Sequence, residues 1–175
     1  MVPFDVASVI FCPSSLDMPS PSHPPLDDKT FKKAITACLK SHPVDGLCND
    51  GEFGPMPGWD TSKVTNMELA FFNADGNNFN ADIIGWNTSR VTSMYGMVAY
   101  CRNFNQPIAD WDTSKVTTVK QMFEGAVAFD QDITGWSTPP RGNSRMMFMG
   151  ATAFVGKFKR SGNSADGPPS LWTPK

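Results

Sequence analysis

Apolar positions along the chain follow two different rhythms. Over residues 27–41 they recur at helical spacing, and from residue 59 they recur at a fixed distance of about 25 residues. In the first region Phe31, Ala34, Ile35, Cys38 and Leu39 form one apolar stripe, which predicts a helix. Asp27 or Asp28 can cap its start, and Pro43 stops it. Lys32, Lys33 and Lys40 lie off the stripe as a solvated face. The following "DGLCNDGEFGPMPG" is dense in Gly and Pro and reads as a turn-rich connector.

The second rhythm is a repeat. Trp59, Trp86, Trp111 and Trp136 are spaced by 27, 25 and 25 residues, and Phe79, Phe104, Phe129 and Phe154 by 25 each time. The two additional residues of the first unit fit the "ADGNN" turn at 74–78. Other columns keep step: Val64, Val91 and Val116; Met67, Met94 and Val119; Ala70, Met97, Met122 and Met147; Ala74, Cys101, Ala126 and Ala151; Ile83, Ile108 and Ile133. Each column keeps its size and polarity, so each is expected to face a core. A fixed period of this length implies stacked units. Cys101 stands where its neighbours have Ala, so it reads as a small core residue, with no nearby His to activate it.

Inside a unit, the β-branched and hydroxylic "DTSKVT" suits a short strand. Met67, Ala70, Phe71 and Ala74 then fall at i, i+3, i+4 and i+7, which predicts a short helix. Thr65, Thr92 and Thr117 stand at the junction as N-caps, and Thr65 with Glu68 makes a capping box. The Asn80, Asn105 and Asp130 column is assigned to bonding at the bends. Asp82 and Asp132 form a second acidic pair, too sparse in oxygens for calcium. The fourth unit is degraded, with Pro139 and Pro140 against strand pairing, as a terminal repeat should be.

This divides the chain into an irregular Pro/Ser-rich arm at 1–26, a capping helix and connector at 27–58, a repeat region at 59–154, and a flexible or wrapped tail at 155–175. Hydrophobic residues make up 40% of the 175, so a core can form. A net charge of -2 with scattered basic residues gives no footprint for nucleic acid. No apolar run approaches the roughly 20 residues that span a bilayer. The short apolar start "MVPFDVASVIFCP" carries Asp5 and no basic leader, and makes a poor signal peptide. Four cysteines occur without a CxxC, and His23 and His42 stand apart, so no metal or cofactor is expected. Cys38 and Cys48, ten residues apart across a Pro- and Gly-containing turn, are the candidate disulfide of an oxidising compartment; otherwise they are two small buried thiols.

The pattern Trp-Asp-Thr-Ser-x-Val-Thr-x-Met, then Met-Phe-x-x-Ala, then Phe-Asn-x-x-Ile-x-x-Trp resembles the BspA-like surface-protein repeats, an offshoot of the leucine-rich repeats. The likeness covers about 59–154, and the segment from Phe31 to Met56 is similar to the lead-in of algal members. The resemblance implies an α/β solenoid: a leucine-rich-repeat-like, right-handed stack of short strands and short helices, about four coils long, with an N-terminal capping helix. It also implies a cell-surface or secreted interaction protein used for adhesion or recognition. It carries over no catalytic residue.

The expected function is therefore non-catalytic binding of another protein or a glycan surface. With Val64, Val91 and Val116 inward, strand alternation places Lys63, Arg90 and Lys115 outward as a basic ladder, with Thr61, Thr88 and Thr113 beside it. Asp60 and Asp112 can answer part of that charge. The alternative is a structural subunit of a larger assembly, with arm and tail wrapped on neighbours. Ice binding through the Thr columns has little area to work with, and no paired carboxylates, Ser-His-Asp set or phosphate loop supports an enzyme.

Overall fold

The computed structural model describes residues 23–74, 78–137, 141–160 and 167–175. The first 22 residues, the inserted positions 75–77, Thr138, Pro139 and Pro140, and tail residues 161–166 lie outside it, and with them most of the expected arm. The regular elements are α1 (Asp28–Ser41), α2 (Thr152–Lys157), β1 (Phe158–Arg160) and β2 (Trp172–Pro174), with 3-10 turns at Met56–Gly58, Arg141–Ser144 and Pro169–Leu171. β1 and β2 pair antiparallel, Lys159 opposite Thr173.

Helix α1 forms where its stripe and cap coincide. The Asp27 carboxylate accepts from Thr30 N at 2.8 Å while the Thr30 hydroxyl accepts from Asp27 N at 2.8 Å, a closed capping box. Its buried face is Phe31, Ala34, Ile35 and Cys38. Cys38 and Cys48 are joined by a disulfide, which ties the helix to the connector.

The α/β solenoid of about four coils, built of short strands and short helices, is not what the chain forms. Among the described residues there are two α-helices and one two-stranded open sheet, and neither helix lies in 59–137. That region is turns, with isolated parallel bridges between Asn66 and Ser93 and between Ser93 and Thr118. The reason is visible in the backbone. Leu69, Gly96, Gln121 and Met146, ten residues after each Trp, all have positive φ, and so do Asn73, Tyr100, Gly125 and Gly150, fourteen after. A left-handed residue every fourth position breaks a right-handed helix before it completes a second turn. The helical spacing of Met67, Ala70, Phe71 and Ala74 therefore sorts side chains inward without making a helix.

The backbone groups that a helix would use internally go elsewhere. N–H groups of Met67, Leu69, Phe71 and Asn73 donate to the carbonyls of Ser93, Tyr95, Met97 and Ala99 at 2.8–2.9 Å. Met94, Gly96, Val98 and Tyr100 donate in the same way to Thr118, Lys120, Met122 and Glu124, and Val119, Gln121, Phe123 and Gly125 to Asn143, Arg145, Met147 and Met149. The expected caps are also reassigned. Thr65 donates its N–H and hydroxyl to Asp28 at 2.6 Å each, Glu68 accepts from the Ser93 hydroxyl at 2.7 Å, and the Thr92 and Thr117 hydroxyls donate to the carbonyls of Thr65 and Thr92.

Between these backbone rows lie columns of aromatic rings. Phe79, Phe104, Phe129 and Phe154 stack at 6.1 Å between centroids. Trp59 stacks on Trp86 at 5.9 Å and Trp111 on Trp136 at 6.3 Å. All eight are buried. Each indole N–H still finds a carbonyl: Gly54, Met56, Ile84 and Ala109 in order. At the far end Trp172 of β2 closes edge-on against Phe148 and Phe154, and Phe158 of β1 stacks on Phe154.

Candidate functional site

The strip Thr-Ser-Lys repeats as a tight turn. Val64 N donates to the Thr61 carbonyl, Val91 N to Thr88 and Val116 N to Thr113, at 2.9–3.0 Å. The side chains of Asp60, Asn87 and Asp112 accept from the N–H of Ser62, Ser89 and Ser114, which fixes the entry to each turn. Each Asx side chain is thus spent on its own backbone. The hydroxyl and N–H of Ser62 hold the Asp60 carboxyl below the usual carboxylate range, and those of Ser114 do the same for Asp112.

This turn decides which side chains reach solvent. Lys63, Arg90 and Lys115 are exposed at its tip. Among the described residues none of the three makes an ion pair; the pairs present are Lys33–Glu52 and Lys157–Asp130. Thr61, Thr88 and Thr113 do not belong on that surface. They are 0–3% exposed, and Thr61 and Thr88 donate to the carbonyls of Asn87 and Asp112 at 3.0 and 3.1 Å. Strand alternation would leave them outward; the turn folds them inward, where the hydroxyl satisfies a carbonyl of the next unit. The first of the two Thr columns weighed for ice binding is therefore buried. The surviving candidate is a row of three cations, one per unit.

The other sequence candidates resolve into structure. Asn80 Oδ1 accepts from Asn105 N and Asn105 Oδ1 from Asp130 N, while Gln106 and Gln131 bridge from the side. Asp82 and Asp132 accept from Ile84 N and Thr134 N. Cys101 is fully buried, donates to the Phe71 carbonyl, and burial pushes its thiol pKa up to about 12, so it is no nucleophile at neutral pH. Among the described residues no group of three or more His, Cys, Asp or Glu side chains is placed to hold a metal. No helix among them is long and apolar enough to cross a membrane.

One surface escapes the sequence reading: the turn face after each Met column. Leu69 covers the α-carbon of Gly96, and the Tyr100 ring covers Gly125. Tyr100 also donates to Glu124, a buried carboxylate that accepts from Gln121 as well. Leu69, Phe72, Tyr100 and Met149 stay 38–50% exposed on this face. Gly96, Gly125 and Gly150 were its signal, since their columns are where the backbone is left-handed.

Residues 48–160 match the family model described as "Mycoplasma protein of unknown function, DUF285". The chain belongs to this DUF285 family. The match begins at Cys48 of the disulfide and ends at Arg160 of β1, so it takes in the cation row, the turn face and every aromatic column. No curated protein and no solved structure matches the chain.

Proposed function

We propose that this DUF285 chain is a non-catalytic recognition module of the BspA-like surface-repeat kind, which meets an anionic protein or glycan surface through Lys63, Arg90 and Lys115. The observation that carries this reading is the state of those three cations. They are exposed, repeat once per unit, and lack ion pairs among the described residues. Nearby Asp60 and Asp112 are bonded to their own turns. Like charges held one unit apart repel, and an anionic partner relieves that cost. Function at a cell surface belongs to the same proposal.

The test is retention on an immobilised sulfated polysaccharide and on an acidic-peptide resin, at low and high salt. The wild-type chain is expected to be retained at low salt and released as salt rises. Lys63→Gln/Arg90→Gln/Lys115→Gln should elute early with an unchanged melting point. Equal retention of the triple variant would end the proposal.

A further inference from the structure

The backbone rows of the repeat region have a direction. Every second N–H of one unit points to the carbonyls of the next, from Met67 through Gly125. The last unit repeats these donors at Met146, Phe148 and Gly150, with no further unit among the described residues. Among the described residues nothing accepts from the N–H groups of Met146, Phe148 or Gly150. An unpaired backbone row of this kind is a template for another chain.

Beside the row is a cavity of about 440 Å³, lined by Phe148, Met149, Ala151, Thr152 and Val155. Its wall is almost wholly apolar, and Met149 at its mouth is 47% exposed. Arg145, at the start of the row, is exposed and without an ion pair among the described residues. The chemistry that completes this edge is therefore specific: carbonyl acceptors at alternate residues, an acidic side chain opposite Arg145, and an apolar side chain further along.

A second copy stacked flush on this end would have to bring its own first unit against the row. That end is occupied by α1, whose Asp28 accepts from Thr65 N and Asn66 N and whose Phe31, Lys32, Ile35 and Thr36 face Asn66, Glu68 and Ala70 across a cleft of about 240 Å³. A helix is about 10 Å across, while hydrogen-bonded backbones lie about 4.8 Å apart. A single segment of chain has no such obstacle. We infer that the Met146–Gly150 edge binds a short segment of a partner protein by backbone pairing, with an acidic residue at Arg145 and an apolar residue in the adjoining cavity.

A usable probe is a terminally blocked peptide with the sequence of residues 65–74, TNMELAFFNA. It offers carbonyls in the repeat's own register, a Glu for Arg145 and apolar residues beyond. Titrated into the full chain, it is expected to shift the amide protons of Met146, Phe148 and Gly150 downfield and slow their exchange. Arg145→Glu should weaken binding about tenfold, as an opposed charge at an interface does. Met149→Asp should weaken it at least as much, and neither change touches a packed ring. Three results would overturn the inference: no binding, binding that leaves those three amides unmoved, or a dimer of the free chain that Met149→Asp abolishes, which would give the edge to a second copy.

Discussion

The two ends of the repeat region are closed in different ways. At the first unit, α1 lays Phe31 edge-on against Trp59 and Trp86 at 6.4 and 5.4 Å, and its Asp28 accepts from Thr65 N and Asn66 N at 2.6 and 3.0 Å. The helix closes the ring columns and answers two backbone donors at once. At the last unit, Trp172 and Phe158 close the columns, while Met146, Phe148 and Gly150 keep their donors free among the described residues. Sealing an apolar core and satisfying a backbone edge are separate problems. A carboxylate answers two backbone donors at the first end, and among the described residues no such group faces Met146, Phe148 and Gly150 at the other.

Stacked ring columns between the two ends hold the units together, and the largest expected effect lies there. Trp111→Ala removes a buried ring stacked on Trp136 and should cost about 3–5 kcal/mol, as large-to-small aromatic changes do. A urea midpoint equal to wild type would defeat the packed-column account.

The disulfide anchors only the first end. Cys38→Ala/Cys48→Ala should lower stability by about 2–3 kcal/mol, the range for closing a short loop. It should also loosen α1 before the β1–β2 end; equal loss of protection at both ends would remove the asymmetry.

Asp28→Asn should cost about 1–2 kcal/mol, since it weakens charge-assisted bonds to two backbone N–H groups. Partial burial works to raise the Asp28 carboxyl, but the bonds from the Thr65 hydroxyl, Thr65 N–H and Asn66 N–H outweigh it, and the pKa lies below the ordinary value. A folded pKa below the unfolded one stabilises fully above the unfolded value, about 3.9, and the contribution fades as pH falls through the folded one. Wild type and Asp28→Asn should therefore converge in stability only in acid below about pH 4. A gap that stays constant as pH falls well below about 4 would place the effect elsewhere.

The smallest effect is at β2. The Trp172 indole N–H is buried with no hydrogen-bond partner among the described residues, whereas that of Trp111 donates to Ile84. Trp172→Phe removes an unsatisfied donor and should cost less than Trp111→Phe by about 1 kcal/mol. Equal costs by chemical denaturation would mean that the donor at β2 is answered.

The spacing of Trp and Phe was the plainest thing in the chain, because identical large residues at identical intervals have one common explanation, a shared packing environment. Helix α1 was legible for a related reason: stripe, Asp cap and Pro stop agree. The secondary structure inside the repeat was not. A helical spacing of apolar residues reports which side chains face inward, and the left-handed backbone at Leu69, Gln121 and Met146 meets that requirement without a helix. Only Gly96, Gly125 and Gly150 hinted at it. The cation row was read correctly as outward at Lys63, Arg90 and Lys115, and wrongly extended to Thr61, Thr88 and Thr113, because a turn held by Asp60 does not alternate as a strand does.

The backbone row has a direction, is filled through the middle units and is left open at Met146, Phe148 and Gly150 among the described residues. Residue-resolved amide exchange of the free chain measures this directly. Met94, Gly96, Val98 and Tyr100 should be strongly protected, while Met146, Phe148 and Gly150 exchange at rates near those of open peptide. Uniform protection along all four units, or fast exchange at Met94–Tyr100, would contradict it.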